Sequence, residues 1–415
     1  MNTSGKFRRK RYLSPALTIV ILFGVISMLG DLVHESARSV NGQYLSLVGL
    51  TATQVGLVFG IGEFLGYALR LLFGSLLDRS GRYWLFLFIG YGVHLVIPLM
   101  GVTTAWGWLY TFILLERVGK ALRSPAKDTL LSAVAEGEIG LGYAFGIQEA
   151  LDQLGAFLGP LLFTALFSIL DRSTIDAFQI GYRLLLIPFL LLMVVLIWVH
   201  QRFVRADLTP KVEVNAPPVR LQPIFWIYSA FTFFAAFGLI NFSIVGYHLK
   251  VKQIVPDSVI PILYAVAMAV DALVAIAIGK LYDRMKRKTG RKSAGILVLL
   301  IVPVLTAFLP ILTFSHTNTF IWIGMVLMGI VLGVHETVMR SAIADITPFR
   351  KRGIGFGLFN TIYGLALLFG SLLMGRLYDL QKTSLIAIIT VLLELFAIIL
   401  YFVLYKRIKT EKAPS

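Results

Sequence analysis

The stretch Leu29-Gly30-Asp31-Leu32-Val33-His34-Glu35-Ser36-Ala37-Arg38 carries the densest chemistry in this chain. On a helix advancing 100° per residue, Asp31, His34, Glu35 and Arg38 share an arc of roughly 100°. Two acids, an imidazole and a guanidinium on one face can exchange protons, pair with one another or hold an ionic solute. The stretch lies inside a hydrophobic segment that opens at Pro15 and is long enough to cross a bilayer. An ionised group at the centre of a lone membrane helix costs about 2.5–3.5 kcal/mol. This face is therefore expected to meet a wet cavity or partners on other helices.

Further ionisable residues interrupt the apolar segments that follow. Glu116, Lys120, Arg123 and Lys127 recur near i, i+4, i+7 and i+11, within about 60° of arc. Lys127 is expected to snorkel to the headgroups, and Arg123 suits either a solute or an inter-helix ion pair. Arg117 points about 100° from Glu116 and is expected to meet a different neighbour. Gln148, Glu149, Asp152 and Gln153 lie together, Glu63 and Arg70 share a face with Tyr67 between them, and Asp271 and Glu394 stand alone. The run from Val334 through His335 and Glu336 to Arg340 echoes Val33 to Arg38. The candidate proton-coupling groups are Asp31, His34, Glu35, Glu149 and Asp152. The candidate solute contacts are Arg38, Glu116, Arg123, Asn241, Asp271, His335, Glu336, Arg340, Asn360 and Tyr363.

The elements that must position these residues are membrane helices. The chain has 415 residues, 57% hydrophobic and 14% charged, where a soluble domain carries about 25% charged residues. Apolar runs of about 20 residues recur from end to end. The net charge of +16 would suggest nucleic acid in a soluble protein. Here the basic residues gather in alternate loops: Lys6 to Arg11, Arg79 and Arg82, Arg202 and Arg205, Arg284 to Lys292, Arg350 to Arg352 and Lys406 to Lys412. That asymmetry places both termini in the cytoplasm and requires an even number of spans. No cleavable signal peptide is evident. The absence of cysteine excludes disulfides, thiol catalysis and thiolate metal sites.

Twelve spans are expected, at 15–39, 52–77, 84–104, 106–134, 143–170, 180–200, 223–249, 258–282, 294–314, 319–346, 353–378 and 383–405. The longest polar connection, 201–222, divides a first half (1–200) from a second (223–415). The halves are similar. Gly74-Ser75-Leu76-Leu77-Asp78-Arg79-Ser80-Gly81-Arg82 closes span 2, and Gly279-Lys280-Leu281-Tyr282-Asp283-Arg284 closes span 8. Gly142 to Gly146 opens span 5 and Gly353 to Gly357 opens span 11. Internal duplication of this kind predicts a transporter with its site between the repeats.

Those motifs carry a family resemblance over essentially the whole chain. Gly74 to Arg82 resembles the loop 2–3 signature of the major facilitator superfamily, and Arg117 resembles its span 4 arginine. Gly155-Ala156-Phe157-Leu158-Gly159-Pro160 resembles the glycine–proline signature of the family's antiporters, with Leu161 and Leu162 where small residues are usual. The resemblance implies an all-α membrane protein of twelve transmembrane helices in two pseudo-symmetric six-helix bundles that rock around a central site. It also implies a conformational latch of Gly74, Asp78, Arg79, Gly81, Arg82 and Arg117. Gly155, Gly159 and Pro160 would form the antiporter element.

Two functional readings follow. One is a proton-coupled exporter of a small organic solute, a monomer in a bacterial inner membrane. The other is a symporter, exchanger or uniporter of an anionic metabolite that uses the intramembrane arginines. No cofactor, metal or nucleic acid is expected. His34-Glu35 and His335-Glu336 lack the second histidine of a zinc helix, and no ATP-binding loop is present, so an ion or solute gradient must supply the energy.

Overall fold

The helical expectation is met throughout. The computed structural model describes residues 14–135, 141–170, 174–205, 221–289, 298–347 and 352–410, and among them no strand occurs. The first half comprises α1 (Pro15–Leu47), α2 (Ala52–Ser80), α3 (Tyr83–Gly92), α4 (Val96–Leu99), α5 (Trp106–Ala135), α6 (Leu141–Leu170), α7 (Ile175–Leu184) and α8 (Leu186–Arg205). The second comprises α9 (Pro223–Phe237), α10 (Phe242–Lys252), α11 (Val259–Thr289), α12 (Ile301–Thr306), α13 (Leu309–Thr313), α14 (Asn318–Ile346), α15 (Arg352–Asp379) and α16 (Thr383–Thr410). Most of the 201–222 connection lies outside the described residues.

These helices make the expected passes with different boundaries and several breaks. Among the described residues, ten runs are long and apolar enough to cross a membrane. The remaining two places are taken by α5 and by the run 298–313. α5 has the length but concentrates Glu116, Arg117, Lys120, Arg123, Lys127 and Asp128 in its middle. α1 continues to Leu47 rather than 39, beginning where the Ser14 side chain accepts from Leu17 N and Pro15 takes the first turn. α2 opens on a Thr51–Gln54 capping box and stops at Gly81, whose left-handed φ of 63° suits glycine. The seventh pass is split at 238–241, and Asn241 restarts it by accepting a hydrogen bond from Ser243 N at 2.9 Å.

Packing sorts the passes into two bundles. In the first, α1 lies on α6 and α5 on α2 and α3; in the second, α11 lies on α14 and α16 on α9. The first bundle has two apolar clusters. One joins Ala16–Leu29 of α1 to Leu77, Ala126–Val134 and Leu192–Phe203. The other joins Val33–Leu45 to Val55–Phe59, Leu109, Ile113 and Phe163. A polar layer separates them, running through the middles of α1, α2 and α5. The second bundle holds one continuous apolar cluster.

The bundles meet where α2 faces α15, α6 faces α11 and α1 faces α10. Several bonds close this interface at the end opposite the start of α1 and the finish of α16. Gln43 Nε2 donates to Asp257 O at 3.1 Å and Thr164 Oγ1 to Ser258 O at 3.2 Å. The Asp379 carboxylate accepts from Ala52 N and Thr53 N, both at 2.8 Å, capping α2 from the other bundle. A carbon added at Gly42 or Gly56 would strike the backbone of Ser243 or Ser371.

Candidate functional site

The docking of α6 on α1 orients the charged stretch. Gly155 and Gly159 let the α6 backbone approach Met28 and Leu32, leaving no room for a side chain at either position. Ser36 Oγ donates to Gly159 O at 2.7 Å across this contact. The opposite face of α1, bearing His34, Glu35 and Arg38, is thereby turned toward α2 and α5. The glycines of the antiporter-like motif thus act through packing on α1.

On that face six side chains from three helices form a closed ring. His34 Nε2 lies 3.7 Å from Glu35 Oε1, and Glu35 Oε1 is 3.5 Å from Arg38 Nη1. Arg38 Nη2 lies 3.4 Å from Glu63 Oε1, which also receives Arg117 Nη2 at 2.9 Å. Arg117 Nε is 3.5 Å from Glu116 Oε2, and Glu116 Oε1 lies 3.0 Å from His34 Nδ1. All but Arg38 are buried. Three carboxylates against two guanidiniums leave one negative charge, which a proton on His34 cancels. A cavity of ≈ 20 Å³ beside His34, Arg38, Asn41, Glu116 and Arg117 has room for about one water. The ring reaches the second bundle through Tyr264 of α11, whose hydroxyl donates to Glu35 Oε2 at 2.6 Å.

This geometry revises two expectations. Arg117 was expected to avoid Glu116, yet its long side chain curls back to that carboxylate as well as reaching Glu63. It therefore belongs to the ring, beside Gly62 and Gly66 of α2. Lys127 does not snorkel: its Nζ donates to Ser27 Oγ of α1 at 2.7 Å, inside the bundle. Side chains that hydrogen-bond within the protein have no need of the headgroup region.

Of the other first-bundle groups, Asp31, Asp152, Lys127 and Arg123 gather around Tyr91, whereas Glu149 lies within electrostatic reach of Asp271 of the second bundle. Asp31 lies within electrostatic reach of Asp152, Lys120, Glu35 and Lys127. Glu149 Oε1 accepts from Gln153 Nε2 at 3.4 Å. Arg123 is 4% exposed, stands over the Tyr91 ring at 4.9 Å and has no hydrogen-bond partner for Nη1 among the described residues. Sequence reasoning did not single out His94, which is fully buried and stacks on His34 at 6.4 Å. Tyr264 was missed too, and Glu63 was noticed without a role. A lone histidine in an apolar span was the available signal for His94; nothing marked Tyr264.

The second-bundle candidates are arranged differently. Asp271 is 3% exposed, its Oδ1 has no hydrogen-bond partner among the described residues, and it is within electrostatic reach of Glu336, Glu149 and Glu35. His335 is 1% exposed with both ring nitrogens unpartnered in the same sense, 5.9 Å from the Tyr363 ring. Tyr363 meets Tyr67 of α2 edge-on at 4.9 Å, across the bundle interface. Glu336 is exposed, Asn360 half-buried, and Asn241 serves as the α10 cap. His335-Glu336 therefore does not reproduce the ring of its echo. The Arg340 and Asp78 side chains lie outside the described residues. Arg79 and Arg82 are exposed, and Gly74 meets Pro125 at ordinary contact distance. No group of three or more acidic or histidine side chains among the described residues is placed to hold a metal.

Two helical bundles, the first holding a layer of buried charge that reaches the second through Tyr264, define a multi-pass membrane protein. The Major Facilitator Superfamily model matches residues 11–335 and 289–415, and the chain belongs to that family. It is 35% identical over 398 residues to an uncharacterized protein of Mycobacterium tuberculosis, covering 94% of each chain. An uncharacterized MFS-type transporter of Methanocaldococcus jannaschii is 30% identical over 400 residues, 91% of this chain and 94% of the relative. The crystal structure of a bacterial homolog of the human lysosomal transporter Spinster superposes with a TM-score of 0.69 at 15% identity, covering 97% of this chain and all of that one.

Proposed function

We propose that this chain is a proton-coupled exporter of a small organic solute, working by alternating access as a monomer. It would reside in a bacterial inner membrane with both termini cytoplasmic. The bodies that move are 1–200 and 223–415, joined by 201–222. The ring around His34 carries this reading, because it is one negative charge out of balance and is bonded to the opposite bundle at Glu35.

The proton step follows from the ring's geometry. With the Nδ1 hydrogen directed at Glu116, neutral His34 offers Nε2 to Arg117 Nη1 at 3.4 Å. A proton added at Nε2 removes that acceptor and turns an N–H toward Glu35. Glu35 is then shared among His34, Arg38 and Tyr264, and its hold on the second bundle weakens. Proton occupancy is in this way converted into a preference between bundle orientations. Asp31 and Asp152 stand beside the ring, and Glu149 near Asp271, as the groups through which protons reach it. Export is favoured by the Gly155–Pro160 element, and the latch of Asp78, Arg79 and Arg82 would act at the loop after α2.

Arg123 supports a second reading, in which Nη1 and the neighbouring Lys120 and Lys127 anchor an anionic metabolite. Proteoliposomes with an imposed pH gradient, tested against organic cations and organic anions, separate the two. The proposal expects gradient-driven flux of a solute, reduced about tenfold or more by Glu35→Gln, an effect the size of one charge-assisted hydrogen bond. Flux that ignores the gradient, or survives Glu35→Gln with its pH dependence intact, overturns it.

A further inference from the structure

A buried carboxyl in the second bundle stands apart from all of this. Glu394 of α16 is 1% exposed, and neither carboxyl oxygen has a hydrogen-bond partner among the described residues. One turn earlier on the same face, Thr390 is 0% exposed with its hydroxyl equally unpartnered. Both pack on Gly238, where the seventh pass breaks between α9 and α10: a carbon added there would collide with Glu394 Oε1 and meet Thr390 Cγ2 at 3.4 Å.

A carboxylate in an apolar interior must hold a positive partner. Among the described residues none is supplied. Among the described side chains, the titratable groups on α16 and the elements packed around it are Tyr401, Tyr405, Lys406 and Arg407 of α16, Tyr228 of α9, and Tyr363, Arg376, Tyr378 and Asp379 of α15, with none on α12 or α13; the Arg352 side chain of α15 lies outside the described residues. Among the described residues, none is placed to hydrogen-bond or pair with Glu394. What surrounds Glu394 instead is oxygen chemistry and a helix end. α9 ends at this break, where Gly238 N and Leu239 N donate to Phe234 O and Ala236 O, both at 3.2 Å, and an unwound turn in a membrane helix is a recurrent place for small cations.

We propose that Glu394, with Thr390 and the broken turn at Gly238, forms a binding site for a single monovalent cation, an alkali-metal ion or a proton. The site holds the two halves of the seventh pass against α16 and is independent of the His34 ring. Its occupant neutralises Glu394 in the folded protein and has no comparable site in the unfolded chain, so occupancy stabilises the fold.

Thermal unfolding of the purified chain in detergent, with sodium chloride titrated against choline chloride at several pH values, tests this in two arms. A sodium occupant raises the melting temperature of the wild type by about 2–4 °C per tenfold increase in sodium once the site saturates, and Glu394→Gln abolishes the rise. A proton occupant gives no sodium effect. The wild type then loses stability relative to Glu394→Gln as pH rises above the ordinary carboxyl range, because the unfolded chain releases the proton that the folded state still holds. Thr390→Val, which removes one oxygen at nearly constant volume, shrinks the sodium rise or moves the midpoint of the pH response. It serves where Glu394→Gln does not fold. Variants that follow the wild type in both titrations overturn the proposal.

Discussion

The two bundles differ in how they hold most of their buried charge, although Arg123 and His94 of the first also keep polar atoms that no described residue meets. In the first, Glu35, Glu63, Glu116, Arg38, Arg117 and His34 satisfy one another in a layer that divides the apolar core in two. In the second, Asp271, His335 and Glu394 sit in a continuous apolar core with polar atoms that no described residue satisfies. A closed ion network resists disturbance, since removing one member strands the others. Unpartnered groups gain when something arrives to meet them. Under the proposed function, the first bundle would sense the proton and the second would await a ligand.

The largest effect that can break this contrast is Arg117→Leu, which leaves Glu63 with Arg38 alone and Glu116 with His34 alone. It is expected to cost about 3–5 kcal/mol of stability, measured by denaturant or thermal unfolding in detergent. Asp271→Asn in the second bundle is expected to leave stability unchanged or slightly improved while lowering transport. Equal destabilisation by the two substitutions would erase the distinction between bundles. Tyr264→Phe removes the bond that connects the ring to the other bundle. A hydrogen bond to a charged group contributes about 1.5–3 kcal/mol, so the balance between conformers is expected to move tenfold or more, read by distances between spin labels.

His335→Leu sharpens the second-bundle side. Because neither ring nitrogen is partnered among the described residues, stability is expected to stay within about 1 kcal/mol of wild type while solute flux falls. Substantial unfolding would mean that His335 is structural. Asp379→Ala is the mildest change. It removes the cap on α2 and with it about 1 kcal/mol, and opening at that end of the interface becomes easier by roughly the same amount.

Much of the first bundle was legible in the sequence because ionisable residues inside apolar runs are few and costly. Asp31, His34, Glu35 and Arg38 declared a shared face by their spacing alone. Their partners did not, since Glu63 and Arg117 meet them only through the way α2 and α5 dock. Lys127 read as a headgroup residue because hydropathy cannot anticipate that Ser27 lies across from it. The break at 238–241 was equally hidden: Gly238 is no stronger a breaker than the glycines that sit inside α6, and the split depends on Asn241 capping a new helix. The two glycines at 155 and 159 were recognised as a motif, but their use, the close seating of α6 on α1, is a property of the pair of helices.

The central claim is that a proton on His34 weakens the bond between Glu35 and Tyr264 and so shifts the bundles. The chain has no cysteine, so spin labels can be placed at Ser80 on α2 and Lys288 on α11, both exposed, without altering native thiols. The measurement is the distance distribution between these labels from pH 5 to pH 8, in the labelled protein and in the same protein carrying His34→Gln. The account predicts a pH-dependent change in the populations that His34→Gln abolishes. An identical pH response in both would contradict it.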